Sequence, residues 1–298
     1  MFRLAHVSWA IADRAARQAC DAFLIDVFGA RIAHEILVTP ATEHHGFDRE
    51  EKLLVIGDTM LIPIAPAGRG LAPGSPIGDM LRRQARPGQW IGIALRVEDL
   101  AAAAAWFTAR GFTLHRDRGM EDRYFLIARR EALGMRIEVM TGDLPGDPRT
   151  QPGWSPAWWR DEHPLGIVRL RSIGLSTTSL DAARAVFAGK LGLDALARRE
   201  DPVDAAECES FRLGDTVIEA MQALHADSPL ARHARDIQGI YCLTFEVRSA
   251  EAAARYLRGR GFDLVGEAHG RCAIRPDQAC DRLIYFTAST AGNPAHSL

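Results

Sequence analysis

Lysine is nearly absent from this 298-residue chain: of 36 basic side chains only Lys52 and Lys190 are lysines. Arginine forks suit anion recognition, but the abundant alanine beside them makes a GC-rich coding bias the simpler reading. No apolar run approaches the roughly 20 residues that span a bilayer. No basic stripe of the nucleic-acid type is present, and a net charge of −2 with a pI near 6.6 gives a polyanion nothing to bind. The five cysteines are odd in number and scattered, without a CxxC pair, which predicts reduced thiols instead of a disulfide framework. The opening MFRLAHVSWAIADRAAR lacks the apolar core and cleavage site of a signal peptide. A G-x-S-x-G elbow, a Walker A sequence and a haem CxxCH are all missing, and the glycines of PAGRGLAPGSPIG lack the flanking strand and helix of a dinucleotide site. These absences predict a cytoplasmic protein that binds neither nucleic acid nor membrane and whose partner is a small molecule.

What is present is an internal repeat, the feature to seek first because missing it misreads the fold. Four segments share one layout: FRLAHVSWAIADRAARQACDAFLIDVFGA, QWIGIALRVEDLAAAAAWFTARGF, RLRSIGLSTTSLDAARAVFAGKLGL and IYCLTFEVRSAEAAARYLRGRGF. Each opens on a strand-like run. A capping residue follows (Asp13, Asp99, Ser179, Ser249), then an alanine- and arginine-rich helical stretch closed by glycine (Gly29, Gly111, Gly192, Gly261). Three more strand-like runs follow each glycine, with turn residues such as Gly57–Asp58 and Gly214–Asp215 between the last two. The unit is βαβββ, four times over. One unit cannot bury both faces of its small sheet, so the units are expected to pair into two U-shaped mixed sheets with helices outside, an α+β fold. The predicted boundaries are an N-terminal pair over 1–141 (units 1–65 and 89–141), a Trp- and Pro-rich linker over 142–166, and a C-terminal pair over 167–298 (units 167–224 and 239–288). A short helix is expected around Ile77–Arg86 in the connection between the first two units.

This layout resembles the vicinal oxygen chelate superfamily, which includes glyoxalase I, extradiol dioxygenases, methylmalonyl-CoA epimerase and bleomycin- and fosfomycin-resistance proteins. The resemblance rests on HVSWAIAD, GIALRVED, helices closing at GF or GL, the strand RIEVM and the linker WSPAWWRDEHPLGI, and it spans nearly the whole chain. It implies a cleft holding a divalent metal (Fe, Mn, Zn or Ni) on first-strand His or Gln and last-strand Glu residues, with open positions for vicinal substrate oxygens.

Aligned on that pattern, the first strands offer His6, Gly92, Ser172 and Cys242, and the last strands Pro63, Glu138, Glu219 and Tyr285. The N-terminal pair keeps His6 and Glu138. The C-terminal pair, where extradiol dioxygenases hold iron, does not keep the ligand set. A third ligand would have to come from elsewhere, with His45 (or its neighbour His44) and His115 as candidates. Trp9, Trp90, Trp158 and Trp159, with Trp154 and His163, are expected to wall the substrate pocket. Glu219 reads as part of a degenerate cleft, and Cys242 as a small buried hydrophobe. The implied activity is metal-assisted proton transfer (isomerase or lyase) or dioxygenase chemistry on a small oxygenated, possibly aromatic, metabolite, with His6 and Glu138 central. Two alternatives stay open: a metal-free binding or drug-sequestering protein, and an acid/base enzyme that uses the same pair without a metal. A homodimer is compatible with the pattern but not required, since one chain supplies complete pairs.

Overall fold

Alternation along the opening strand sets the architecture. In β1 (Arg3–Ala10), Val7 and Trp9 enter the apolar core, while His6 and Ser8 face the other way into a cleft, as period-2 geometry requires. The structure, a computed structural model, describes residues 2–37, 49–66, 81, 83–116, 120–214, 216–267 and 270–288. The helix expected around Ile77–Arg86, His44, His45 and Asp215 lie wholly or partly outside the described residues.

The first unit continues with α1 (Arg14–Phe28), β2 (Arg31–Ile36), β3 (Arg49–Ile56) and β4 (Thr59–Pro66). The second runs β5 (Gly92–Val97), α2 (Leu100–Ala109), β6 (Leu114–His115), β7 (Tyr124–Ile127) and β8 (Arg136–Thr141). A short linker helix α3 (Ala157–Asp161) precedes the third unit: β9 (Ile167–Thr177), α4 (Leu180–Arg184, prolonged by a π-helical turn), β10 (Ala195–Asp201), β11 (Ala206–Leu213) and β12 (Thr216–Ala223). Helix α5 (Pro229–Asp236) leads to the fourth: β13 (Gly239–Val247), α6 (Ala250–Gly259), β14 (Leu264–Val265), β15 (Arg271–Ile274) and β16 (Leu283–Ala288). The strands form two eight-stranded mixed sheets, ordered β2-β3-β4-β1-β5-β8-β7-β6 and β10-β11-β12-β9-β13-β16-β15-β14. The first strands of each pair lie antiparallel at the centre, and each last strand runs parallel beside its own first strand.

The capping grammar read from the sequence operates at all four unit helices. Asp13, Asp99, Ser179 and Ser249 accept from the amides of Ala16, Ala102, Ala182 and Ala252 at 2.8–3.1 Å. Inside α1, Arg17 is fully buried and reaches Asp21 at 2.6 Å, with Lys52 of β3 bridging Asp21 and Glu35. Among the described residues no helix is long and apolar enough to cross a membrane.

The expectation of reduced, unpaired thiols needs correction. Helix α1 packs against the fourth unit through Phe23 on Phe262 and a hydrogen bond from Tyr256 to the Val27 carbonyl. This contact brings Cys20 and Cys280, 260 residues apart in sequence, into a disulfide with Cα atoms 5.6 Å apart. Cys208, Cys242 and Cys272 are free and buried. The inference of a reducing compartment from scattered, odd-numbered cysteines therefore loses its basis.

Candidate functional site

Register shows which positions of the four units are equivalent. His6 pairs with Ala94 and Ser8 with Gly92 across β1 and β5, and Ser172 with Thr244 and Gly174 with Cys242 across β9 and β13. Positions 6, 92, 172 and 242 are thus related by the internal two-fold, as the aligned first strands predict. On the last strands, Ala94 pairs with Glu138, Gly174 with Glu219 and Thr244 with Tyr285. In the first unit Ser8 pairs with Ile62, so Ile62, not Pro63, is the counterpart of Glu138.

His6 and Glu138 line one cavity of about 570 Å³ on the concave face of the N-terminal sheet. They stand on either side of β5, two strand spacings or about 10 Å apart in backbone terms. Its floor and walls include Leu53, Ile62, Ile64, Ile91, Leu126 and Met140, and charged groups also face it: Arg49, Arg123, Arg136, Glu51 and Asp143. On β8 the residues Arg136, Glu138 and Met140 face the cavity while Ile137 and Val139 enter the core.

His6 is 7% exposed, and its Nδ1 is buried with no hydrogen-bond partner among the described residues. Burial, then the guanidinium groups of Arg149, Arg49 and Arg96, push its pKa down to about 3. The imidazole is therefore neutral at physiological pH. Elsewhere, His233 receives the same treatment: burial lowers it to about 4, against an opposing hydrogen bond to the Gly88 carbonyl.

Both histidines take up protons in the unfolded chain at higher pH than in the folded one. Stability is then complete above about pH 6.5 and falls as pH drops toward 4, by about 2 kcal/mol per histidine at pH 5. Urea midpoints at pH 7 and pH 5 check this; a flat profile over that interval would contradict it.

The linker contributes to the site through its first residues. Gly142 to Pro145 line the cavity. Just beyond, Asp147 is 1% exposed and accepts from Arg96 of β5 at 3.1 Å and from Arg149 at 2.8 Å. Burial alone would raise its carboxyl, but the hydrogen bonds and charge of Arg149, and the charge of Arg96, hold it below the usual carboxylate range. Arg149 also donates to the Ala5 carbonyl at 2.7 Å and the Asp58 carbonyl at 3.1 Å. One buried carboxylate thus clamps the linker, β1, β5 and the β3–β4 turn together beside His6.

None of the four tryptophans expected in the pocket lines this cavity. Trp9 has the opposite parity to His6 along β1 and packs edge-on against Trp90 in the core at 5.2 Å. Trp159 donates to the Gly29 carbonyl at 3.2 Å, and Arg31 stacks over Trp158 and Trp159, so this pair staples the linker to the end of α1. His115 is exposed on the edge strand β6 and does not line the cavity, although register sets it opposite Leu126, which is itself opposite Glu138. Sequence reasoning missed His34, Arg49, Arg123, Tyr124, Arg136 and Asp143 as cavity residues. Parity along β8 was the available signal for Arg136.

Among the described residues the donor set does not suit a resident metal; the candidate third ligands His44 and His45 lie outside them. Among the described residues no group of three or more His, Cys, Asp or Glu side chains is placed to hold one. A side chain at Gly92 would collide with the Arg136 carbonyl, so that ligand place is given over to close strand packing, and Ile62 fills another. Of the aligned ligand positions in this pair only His6 and Glu138 carry donors, and no chemical step is routed through a metal below.

In the C-terminal pair the equivalent places belong to an internal network. Glu219 accepts from Arg199 at 2.6 Å, and Tyr285 and Tyr241 donate to Asp204 at 2.9 and 3.3 Å. Arg271 reaches Asp201 at 2.5 Å and lies 3.4 Å over the Tyr285 ring. Burial pushes the Cys242 thiol well above its ordinary value, which fits an inert core residue.

Residues 171–280 match the family model described as the Glyoxalase/Bleomycin resistance protein/Dioxygenase superfamily. No curated protein matches the sequence. Among solved structures, a mutant of 4-hydroxymandelate synthase from Streptomyces coelicolor superposes with a TM-score of 0.70 at 14% identity, covering 98% of this chain and 94% of that one. Methylmalonyl-CoA epimerase from Mycobacterium tuberculosis matches 42% of this chain over 89% of its own length, at 22% identity and a TM-score of 0.39. In the sequence of its C-terminal half and in the fold of nearly its whole length, the chain resembles the vicinal oxygen chelate superfamily.

Proposed function

We propose that the N-terminal cleft belongs to an enzyme that moves a proton on a small oxygenated metabolite, using Glu138 and a neutral His6. One observation carries this reading: a buried imidazole with an unpartnered Nδ1 opens on a cavity that a carboxylate also lines. The cavity volume of about 570 Å³ falls in the range of small-molecule sites, and its isoleucine, leucine and methionine walls suit a carbon skeleton, aliphatic or aromatic.

The roles follow from charge. An imidazole with a pKa of about 3 is too weak a base for neutral pH. It remains a good neutral N–H donor to an oxygen that gains negative charge. Glu138 then takes the proton from the carbon beside that carbonyl, and His6 stabilises the enolate oxygen. Return of the proton to the same or the neighbouring carbon gives epimerisation or isomerisation. The metal-assisted and dioxygenase versions of this site need a third donor that the described residues do not offer. Gly92 and Ile62 in ligand places also favour a second reading, a metal-free binding protein that uses the same cavity.

The test is proton exchange in D2O. A panel of small 2-oxo and 2-hydroxy acids and their esters is incubated with the protein and followed by proton NMR. Loss of one carbon-bound proton signal that persists with chelator present is the expected result. Binding without exchange would establish the sequestering reading, and exchange abolished by chelator and restored by a divalent metal would establish the metal-assisted one.

A further inference from the structure

We propose that the Cys20–Cys280 pair is a reversible thiol–disulfide switch that sets the order of one end of the N-terminal cleft. Three observations converge on the segment Cys280–Arg282. The disulfide stands in the wall of a solvent groove of about 350 Å³ between the two halves, so a small dithiol can reach it.

The segment is held in an uncommon shape. Cys280 and Asp281 have φ of 55° and 56°, the left-handed region that non-glycine residues adopt with strain. The matching turn of the second unit has Leu133 and Gly134 there, with a glycine at one of the two places. The fourth unit has no glycine at either place, but it has the covalent tie.

The segment also grips the cleft from outside. The Asp281 carbonyl accepts from the Gly88 amide at 2.9 Å. Arg282, 2% exposed, donates to the Ala10 carbonyl at 3.2 Å and the Gln89 carbonyl at 2.7 Å, between Trp9 and Trp90. Ala10 packs with Leu81, Ile91 and Ile64, and the last three line the cavity. The Ile91 amide in turn donates to the Ser8 carbonyl, two residues from His6. A contiguous path therefore runs from the disulfide to the cleft floor.

The redox step balances with a dithiol as reductant. Its first thiolate attacks one sulfur of the Cys20–Cys280 bond, which breaks as a mixed disulfide forms. Its second thiol displaces the protein sulfur and closes the reductant's own disulfide. Two electrons and two protons pass to the protein, leaving two cysteine thiols. The left-handed turn then loses its covalent restraint, and the carbonyls of Ala10 and Gln89 lose a fixed donor.

The test uses the full chain, purified without reductant. Iodoacetamide under denaturing conditions is expected to modify three cysteines (Cys208, Cys242 and Cys272), and all five after dithiothreitol. On native wild-type protein, reduction is expected to lower hydrogen-exchange protection of the amides of Ala10, Ile11 and Gly88 to Ile91 by about tenfold or more, as a local opening does. The β11–β12 hairpin should stay unchanged, and reoxidation should restore protection. Five modified cysteines without reductant, unchanged exchange on reduction, or failure to recover on reoxidation would each overturn the proposal. Because wild-type protein carries the readout, the result does not depend on whether Cys280→Ser folds, nor on any activity.

Discussion

Glu138→Gln is expected to lower proton exchange on any compound the wild-type protein turns over by about 10²–10⁴-fold, the usual weight of a positioned general base. The amide has the shape of the carboxylate and keeps the apolar walls of the cavity intact, so ligand affinity and melting temperature should change little. His6→Ala removes an oxyanion donor and is expected to cost about 10²–10³-fold. The double variant should fall little further than Glu138→Gln, because the two groups act on one transition state. Measured exchange rates decide this. A Glu138→Gln protein with undiminished exchange would remove the carboxylate from the mechanism, and a His6→Ala protein with undiminished exchange would reduce His6 to a core residue.

The second large effect is on stability and comes from Asp147→Ala. This carboxylate is buried between Arg96 and Arg149. Asp143, the remaining acidic neighbour of Arg96, is largely exposed. Removing Asp147 takes the carboxylate from Arg149 and leaves Arg96 with only the exposed Asp143 at 3.1 Å, at a cost of about 3 kcal/mol, the low end for a buried pair because both arginines keep some contact with solvent. Urea denaturation measures this. Asp147→Asn, which keeps the acceptor oxygen but drops the charge, should lose less. A loss under about 1 kcal/mol for Asp147→Ala would mean that the clamp contributes no more than an exposed ion pair.

Much of the fold was legible because its signals are local. Asp13, Asp99, Ser179 and Ser249 cap helices wherever the chain runs next. The closing glycines and the first-strand alignment depend on spacing alone, and the pairing of His6 with Ala94 and Ser8 with Gly92 follows it. The errors fall where local pattern gives no information. Strand β4 is buried on both faces from Thr59 to Pro63, so no alternation fixes its register, and the sequence pattern points to Pro63 where the structure has Ile62.

Aromatic content signalled burial of Trp9, Trp90, Trp158 and Trp159 but not which face they take. For Trp9 the parity with His6 held the answer. The cavity arginines looked like compositional background, because charge alone does not say which side of a strand it occupies. The Cys20–Cys280 contact depends on how the first unit packs against the fourth, and no spacing rule reaches across 260 residues.

That contact has a consequence for the chain when it is not folded. A cross-link between Cys20 and Cys280 closes the stretch between them into a ring in the oxidised denatured polymer, where the reduced one is a linear coil. Confining a loop of this size removes entropy from the denatured ensemble, worth about 5.5 kcal/mol in the chain-entropy account. Part of what keeps the oxidised protein folded is then no attraction within the native structure at all. It is the reduced number of shapes the circular polymer can take once that structure is lost.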